Sequence, residues 1–164
     1  MNATREVETA VETAAAPSTR QRRKVLAAMW LGLAVTVVAA GYPWLDRATD
    51  HRLADHIQAG YPAYTQAQVD SAVTAYLALL TAVGALGVLA WLGTAWAVTA
   101  GKRWARAAAT AMLVVGLSAG LTGLLIRDTS GDTGLPPALG WAGMAPSLAG
   151  VLVIALLWSR PRRA

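Results

Sequence analysis

The residues of this chain best suited to chemistry lie in one polar stretch, where Asp50-His51 and Asp55-His56 repeat an acid–imidazole pair. Carboxylate and imidazole are ligand types for zinc, and on a helix His51 and Asp55 would share a face, as would Arg52 and His56. The two imidazoles, however, would stand about 140° apart around such a helix, which does not suit one ion. A solvated loop with local ion pairs is the simpler expectation.

Two other groupings resemble known sites in part. Asp132-Thr133-Gly134 spells the tripeptide of aspartic proteases, which share one proton between two such carboxylates, but the chain has no second copy. Asp128, Ser130 and Asp132 alternate as calcium ligands do, without the glutamate or the length of an EF-hand loop. Both read most simply as a polar turn. GxSxG, a glycine-rich phosphate loop and HExxH are all missing, and with no cysteine there is no disulfide, thiolate site or thiol redox chemistry. The expectation is a protein that is not an enzyme, with no metal or cofactor; Asp50, His51, Asp55 and His56 are its one candidate outer-loop site.

The elements that hold these residues follow from the charge distribution. Only 14% of the 164 residues are charged, and they cluster so that residues 25–45, 71–101, 107–126 and 133–159 carry no charge at all. A helix rises about 1.5 Å per residue, so a run of about 20 residues crosses a hydrocarbon core of about 30 Å. A soluble helix needs a polar face, and these runs have none wide enough. The sequence predicts an all-α fold, an antiparallel bundle of four transmembrane helices with spans at about 25–44, 71–100, 107–126 and 140–158. The second and third spans, joined by Gly101-Lys102-Arg103-Trp104-Ala105-Arg106, form the hairpin around which the bundle is expected to organise.

Outside the domain 25–159, residues 1–24 read as a disordered tail with a basic end, and 160–164 as a basic tail. The basic cluster and apolar run also resemble a signal peptide, with Val38-Ala39-Ala40 as a cutting site, although three further spans favour a retained helix. Gly41-Tyr42-Pro43 should end the first span, and Gly60-Tyr61-Pro62 a short helix over 46–59 with Leu53 and Ile57 on one stripe. Within the outer loop 46–70, Thr65 and Gln68 form a capping box that starts the second long helix, and Gly101 supplies its left-handed end. Pro136 and Pro137 should keep the chain extended until about Leu139, with Pro146 as a kink beyond.

Basic residues set the orientation. Eleven of the 14 lie before the first span, between the second and third, or after the fourth; only Arg47, Arg52 and Arg127 lie in the alternate loops. The positive-inside rule then puts both termini in the cytoplasm. Tyr42, Trp44, Tyr76 and Trp141 would mark the outer interface, and Trp30, Trp96, Trp104 and Trp158 the inner one. Placed beside the spans, the net charge of +5 suits an anionic inner leaflet and not nucleic acid, with Arg22, Arg23, Lys24, Lys102, Arg103 and Arg106 as anchors.

In lipid, helices associate through close backbone approach and interhelical hydrogen bonds, which points to Gly84 and Gly87 on the second span and Gly116, Gly120 and Gly123 on the third. The same glycines could join two copies. No span contains an ionisable residue, which argues against ion-coupled transport, proton pumping and voltage sensing.

The basic hexapeptide and Asp128-Thr129-Ser130-Gly131-Asp132-Thr133-Gly134-Leu135-Pro136-Pro137, set between alanine- and leucine-rich spans, resemble small uncharacterised four-span integral membrane proteins of high-GC Gram-positive bacteria. The resemblance implies a bacterial plasma membrane and carries no activity. The expected function is a non-catalytic accessory or assembly component that meets the lipid bilayer and a membrane-protein partner or a second copy. The alternative is a small oligomeric transporter or channel subunit.

Overall fold

A computed structural model describes residues 19–159, and the tails expected over 1–18 and 160–164 lie outside the described residues. The described residues form five helices: α1 (Thr19–Ala48), α2 (Arg52–Gly60), α3 (Gln66–Thr99), α4 (Ala105–Leu125) and α5 (Pro137–Trp158). All but α2 are long and apolar enough to cross a membrane. Among the described residues there is no strand; one isolated bridge pairs Arg127 with Thr133.

Helix boundaries differ from expectation at three places, each with a local cause. Thr19 to Lys24, expected in the disordered tail, form the first turns of α1, where Gln21 and Arg22 are bonded to other helices. Proline does not end α1 at Trp44. Pro43 is buried inside the helix, and the turns beyond it are held by Trp44 Nε1 donating to Thr81 Oγ1 at 3.0 Å and Arg47 to Thr74 at 3.4 Å. These contacts offset the one backbone bond that proline removes. Likewise, Pro137 does not delay α5 but occupies its first turn, where a missing N–H costs nothing and the ring presets φ.

The two ends of α3 follow their signals. Gln68 Oε1 accepts from the Thr65 backbone N–H at 2.8 Å, tying the first turn. At the other end Gly101 stands at φ 63°, with its N–H on the Val98 carbonyl at 3.2 Å and the Lys102 N–H on Ala97 at 2.9 Å. This is the six-to-one and five-to-two pattern of a Schellman motif, and it needs a residue free to adopt positive φ.

Packing is organised around α1, not around the α3–α4 hairpin. Helix α1 lies against both α3 and α5, α5 lies against α4, and α3 and α4 touch only sparsely. One core cluster joins Val25, Ala28 and Met29 of α1 to Val153 of α5, with Trp91, Ala95 and Val98 of α3 beside it. Proteolysis at Val38-Ala39-Ala40 would therefore remove the helix on which two others pack.

A second cluster sits at the opposite end of the bundle. With 34 residues α3 is about 51 Å long, well beyond a hydrocarbon core of about 30 Å. Its first turns carry Val69, Val73 and Leu77, which pack with Leu53 and Ile57 of α2 and with Leu139. The remaining apolar surface is outward. Leu79, Leu86, Leu89, Val115, Leu125 and Leu148, spread over three helices, are all exposed, an amount of outward apolar side chain that lipid accommodates.

Candidate functional site

The four candidate residues of the 46–70 segment lie in a cap formed by α2 and the turn over 126–134. In place of a helix from Asp46, the chain reverses over Ala48 to His51, where His51 takes φ 54°. Asp46 explains the reversal. Its carboxylate is almost fully buried and accepts from the backbone N–H of Leu53 at 3.0 Å and of Arg52 at 3.3 Å. It thus satisfies donors that the start of α2 leaves open, and its negative charge faces the positive end of the helix.

The four predicted site residues are separated by this geometry. Asp50 pairs with Arg52 at 3.1 Å on the surface, where such a pair contributes little. His51 precedes α2 as its cap residue, so it does not share a helical face with Asp55, which is exposed in the first turn. His56 points elsewhere, its Nε2 lying 2.6 Å from the Thr133 carbonyl oxygen. His51 lines a small cleft of about 140 Å³ with Pro43, Asp46, Arg47 and Asp70. Among the described residues, no three His, Asp or Glu side chains converge as a metal group would require.

The turn over 126–134 is built by the residues that resembled a protease or calcium motif. Gly134 N–H donates to the Ile126 carbonyl and Asp128 N–H to Asp132, with Gly131 at φ 91° between them. Asp128 accepts from the Ser130 backbone N–H at 2.8 Å and from its hydroxyl. The Ser130 hydroxyl is the main reason the Asp128 carboxyl lies below its ordinary range. Tyr61 Oη meets Thr129 Oγ1 at 2.6 Å, so α2 grips this turn at two points, through His56 and through Tyr61.

At the other end of the bundle the basic residues divide by role. Arg22 donates to the Thr99 carbonyl at the end of α3. Gln21 Nε2 donates to the Leu156 and Ser159 carbonyls, both at 2.9 Å, at the end of α5. Thr99 and Leu156 lie in the last turns of α3 and α5, where carbonyls run out of intrahelical N–H donors, and the Leu156 carbonyl also accepts from the Ser159 hydroxyl at 2.9 Å, so the first turn of α1 helps close two helix ends. Lys102 Nζ sits 5.7 Å from the centroid of the Trp96 ring, and Trp96 and Trp104 are tilted against each other at 6.4 Å. Arg20, Arg23 and Lys24 stand on the outward face of α1 around a shallow hollow.

Between the ends, small residues set the helix spacing. A Cβ on Gly84 would fall 2.5 Å from that of Ala40, and one on Gly87 would fall 3.0 Å from the Thr36 methyl. Gly116, Gly120 and Gly123 of α4 face Ser147, Met144 and Leu135, on or just before α5. An approach as close as that of Gly120 to Met144 involves a glycine not singled out in the sequence, Gly32, on which the Trp91 ring lies directly. Its signal was readable: Ala28, Gly32, Thr36 and Ala40 place a small residue at every fourth position of the first span. Compared with protein-family models, curated proteins and solved structures, the chain has no match.

Proposed function

We propose that this protein is a non-catalytic accessory or assembly component of a bacterial plasma membrane, an antiparallel four-span bundle with both termini cytoplasmic. Its multi-pass character follows from four apolar helices. One observation supports the non-catalytic reading: key polar side chains of the interior and the cap are committed to joining one element to another, and of those lining the 140 Å³ cleft, Asp46 is bonded to α2, Arg47 to Thr74 and Asp70 to Gln66. Asp46 caps α2, His56 and Tyr61 hold the 126–134 turn, and the Trp91 indole binds Thr36. An enzyme keeps some such groups directed at a shared open space, where a substrate can reach them.

The orientation rests on the division of basic residues, which puts the cap outside and the Arg22, Lys102 and Arg106 end inside. The cap then presents α2 and the adjoining turn to a partner in the same membrane. Photocrosslinkers at exposed positions of the cap, such as Asp55, test this in native membranes. The expected product is an adduct with a different membrane protein. Adducts only between copies of the chain would overturn the accessory reading in favour of an oligomer, and flux through reconstituted vesicles would then distinguish a channel subunit.

A further inference from the structure

From the exposed face of α1 we infer a binding site for one anionic phospholipid, its phosphate held by Arg20, Arg23 and Lys24. These three side chains, with Thr19, ring a hollow of about 420 Å³ whose floor is Ala27. The face is turned away from the protein: Val25, Ala28, Met29 and Gly32 on the opposite side are buried, whereas Ala27, Leu31, Ala34 and Val38 are exposed. A basic ring thus stands beside an apolar stripe about three helix turns long, matching the two parts of a phospholipid.

Charge complementarity selects the headgroup. The described part of the chain has no carboxylate before Asp46, and its one ion pair lies in the cap, so the three cations face no acid among the described residues. Two guanidinium groups can each engage a phosphate through paired N–H donors, and the ammonium adds a point charge. Neighbouring Arg22 is excluded because it is committed to the Thr99 carbonyl. The small side chain of Ala27 leaves room for the phosphate where a larger residue would fill the hollow. The site rests on the membrane reading proposed above, with this end of α1 at the inner leaflet.

Native mass spectrometry of the full chain in detergent tests it, with phosphatidylglycerol and phosphatidylcholine of identical acyl chains as probes. The wild type should retain one phosphatidylglycerol in preference to phosphatidylcholine. R20Q/R23Q/K24Q should lose that retention roughly tenfold, while the charge-matched K102Q/R103Q/R106Q keeps it. If the first variant does not fold, Ala27→Trp, which fills the hollow without altering charge, should give the same loss. Equal loss in both triple variants, equal retention of the two lipids, or displacement by inorganic phosphate would overturn the site. So would binding seen only in E6Q/E8Q/E12Q, which would make the N-terminal glutamates the occupant. Recovery of the chain without detergent in a soluble fraction would instead overturn the membrane reading itself, whatever the lipid preference of the extracted protein.

Discussion

The Trp91 indole N–H donates to Thr36 Oγ1 at 2.9 Å, while the Thr36 hydroxyl donates to the Gly32 carbonyl at 2.8 Å and the Trp91 ring covers Gly32. One side chain of α3 is thereby bonded to α1 and stacked on its backbone. Thr36→Val keeps the shape, since valine replaces the hydroxyl with a methyl, and removes the acceptor. The expected cost is about 0.6–2 kcal/mol, the range found for single interhelical bonds in membranes. Steric trap or detergent unfolding of the variant measures it. Gly32→Ala should cost more, because its methyl would displace the ring.

Glycines in this bundle are predicted to be unequal. Gly84→Leu should separate α1 from α3, because the Ala40 methyl leaves no space even for a Cβ, and should lower yield and thermal stability in detergent. Gly116→Ala should be close to neutral, since the nearest atom to the new methyl is Ser147 Oγ at 3.8 Å. Size-exclusion profiles and melting temperatures of the two variants compare them directly.

Ile57→Ala should loosen the cap while leaving the spans in place. Ile57 is 5% exposed and packs with Leu53, Val69 and Val73, so truncation removes apolar contacts worth about 2–4 kcal/mol at a well-packed site. The expected readout is faster hydrogen exchange over 46–64 and 126–136, with unchanged protection in α4. Uniform loss of protection would mean that the cap and spans unfold together.

Acid should open the 126–134 turn before the rest. Asp128 is held below the ordinary carboxylate range, first by the Ser130 hydroxyl and further by its backbone N–H. A carboxyl depressed in the folded state stabilises it fully above its unfolded value, and that contribution is lost as pH falls through the lower folded value. Hydrogen exchange at Ser130 and Gly131 should therefore rise as pH drops below about 4, after correction for intrinsic rates. Asp128→Asn should show the open behaviour at neutral pH.

Reporter fusions after Lys102 should be active only in the cytoplasm, and fusions at Thr129 only outside. The opposite pattern would invert the bundle and move the cap to the inner face. Both positions lie in short connections, where the charge rule is strongest.

Much of this architecture was legible in the sequence because lipid makes a coarse demand. Long uncharged runs reveal the four spans without knowledge of any contact, and Thr65 with Gln68 and Gly101 marked the ends of α3 within a residue. Pairing was less legible. Adjacent spans α3 and α4 were expected to form the central hairpin, yet α1 took that place through the Ala28-Gly32-Thr36-Ala40 stripe. Small residues occur on every span, so composition alone does not say which stripe meets which.

The arrangement around the candidate site was only partly legible for a related reason. Asp50, His51, Asp55 and His56 are close in sequence, but their grouping depended on continuous helix, and Asp46 breaks that continuity by capping α2. The bonds of His56 to Thr133 and Tyr61 to Thr129 span 77 and 68 residues, and no local pattern announces them. Pro43 shows the limit of local rules in the other direction: its effect on α1 was outweighed by tertiary bonds from Trp44 and Arg47.

The union of α1 with α5 also imposes an order on biogenesis. Gln21 and the carbonyl of Leu156 are 135 positions apart, so α1 stays without one of its neighbours until α5 has been made and inserted. A chain stalled after α4 would expose Val25, Met29 and the first turns of α1 to the bilayer, giving membrane proteases and chaperones a marker of unfinished synthesis.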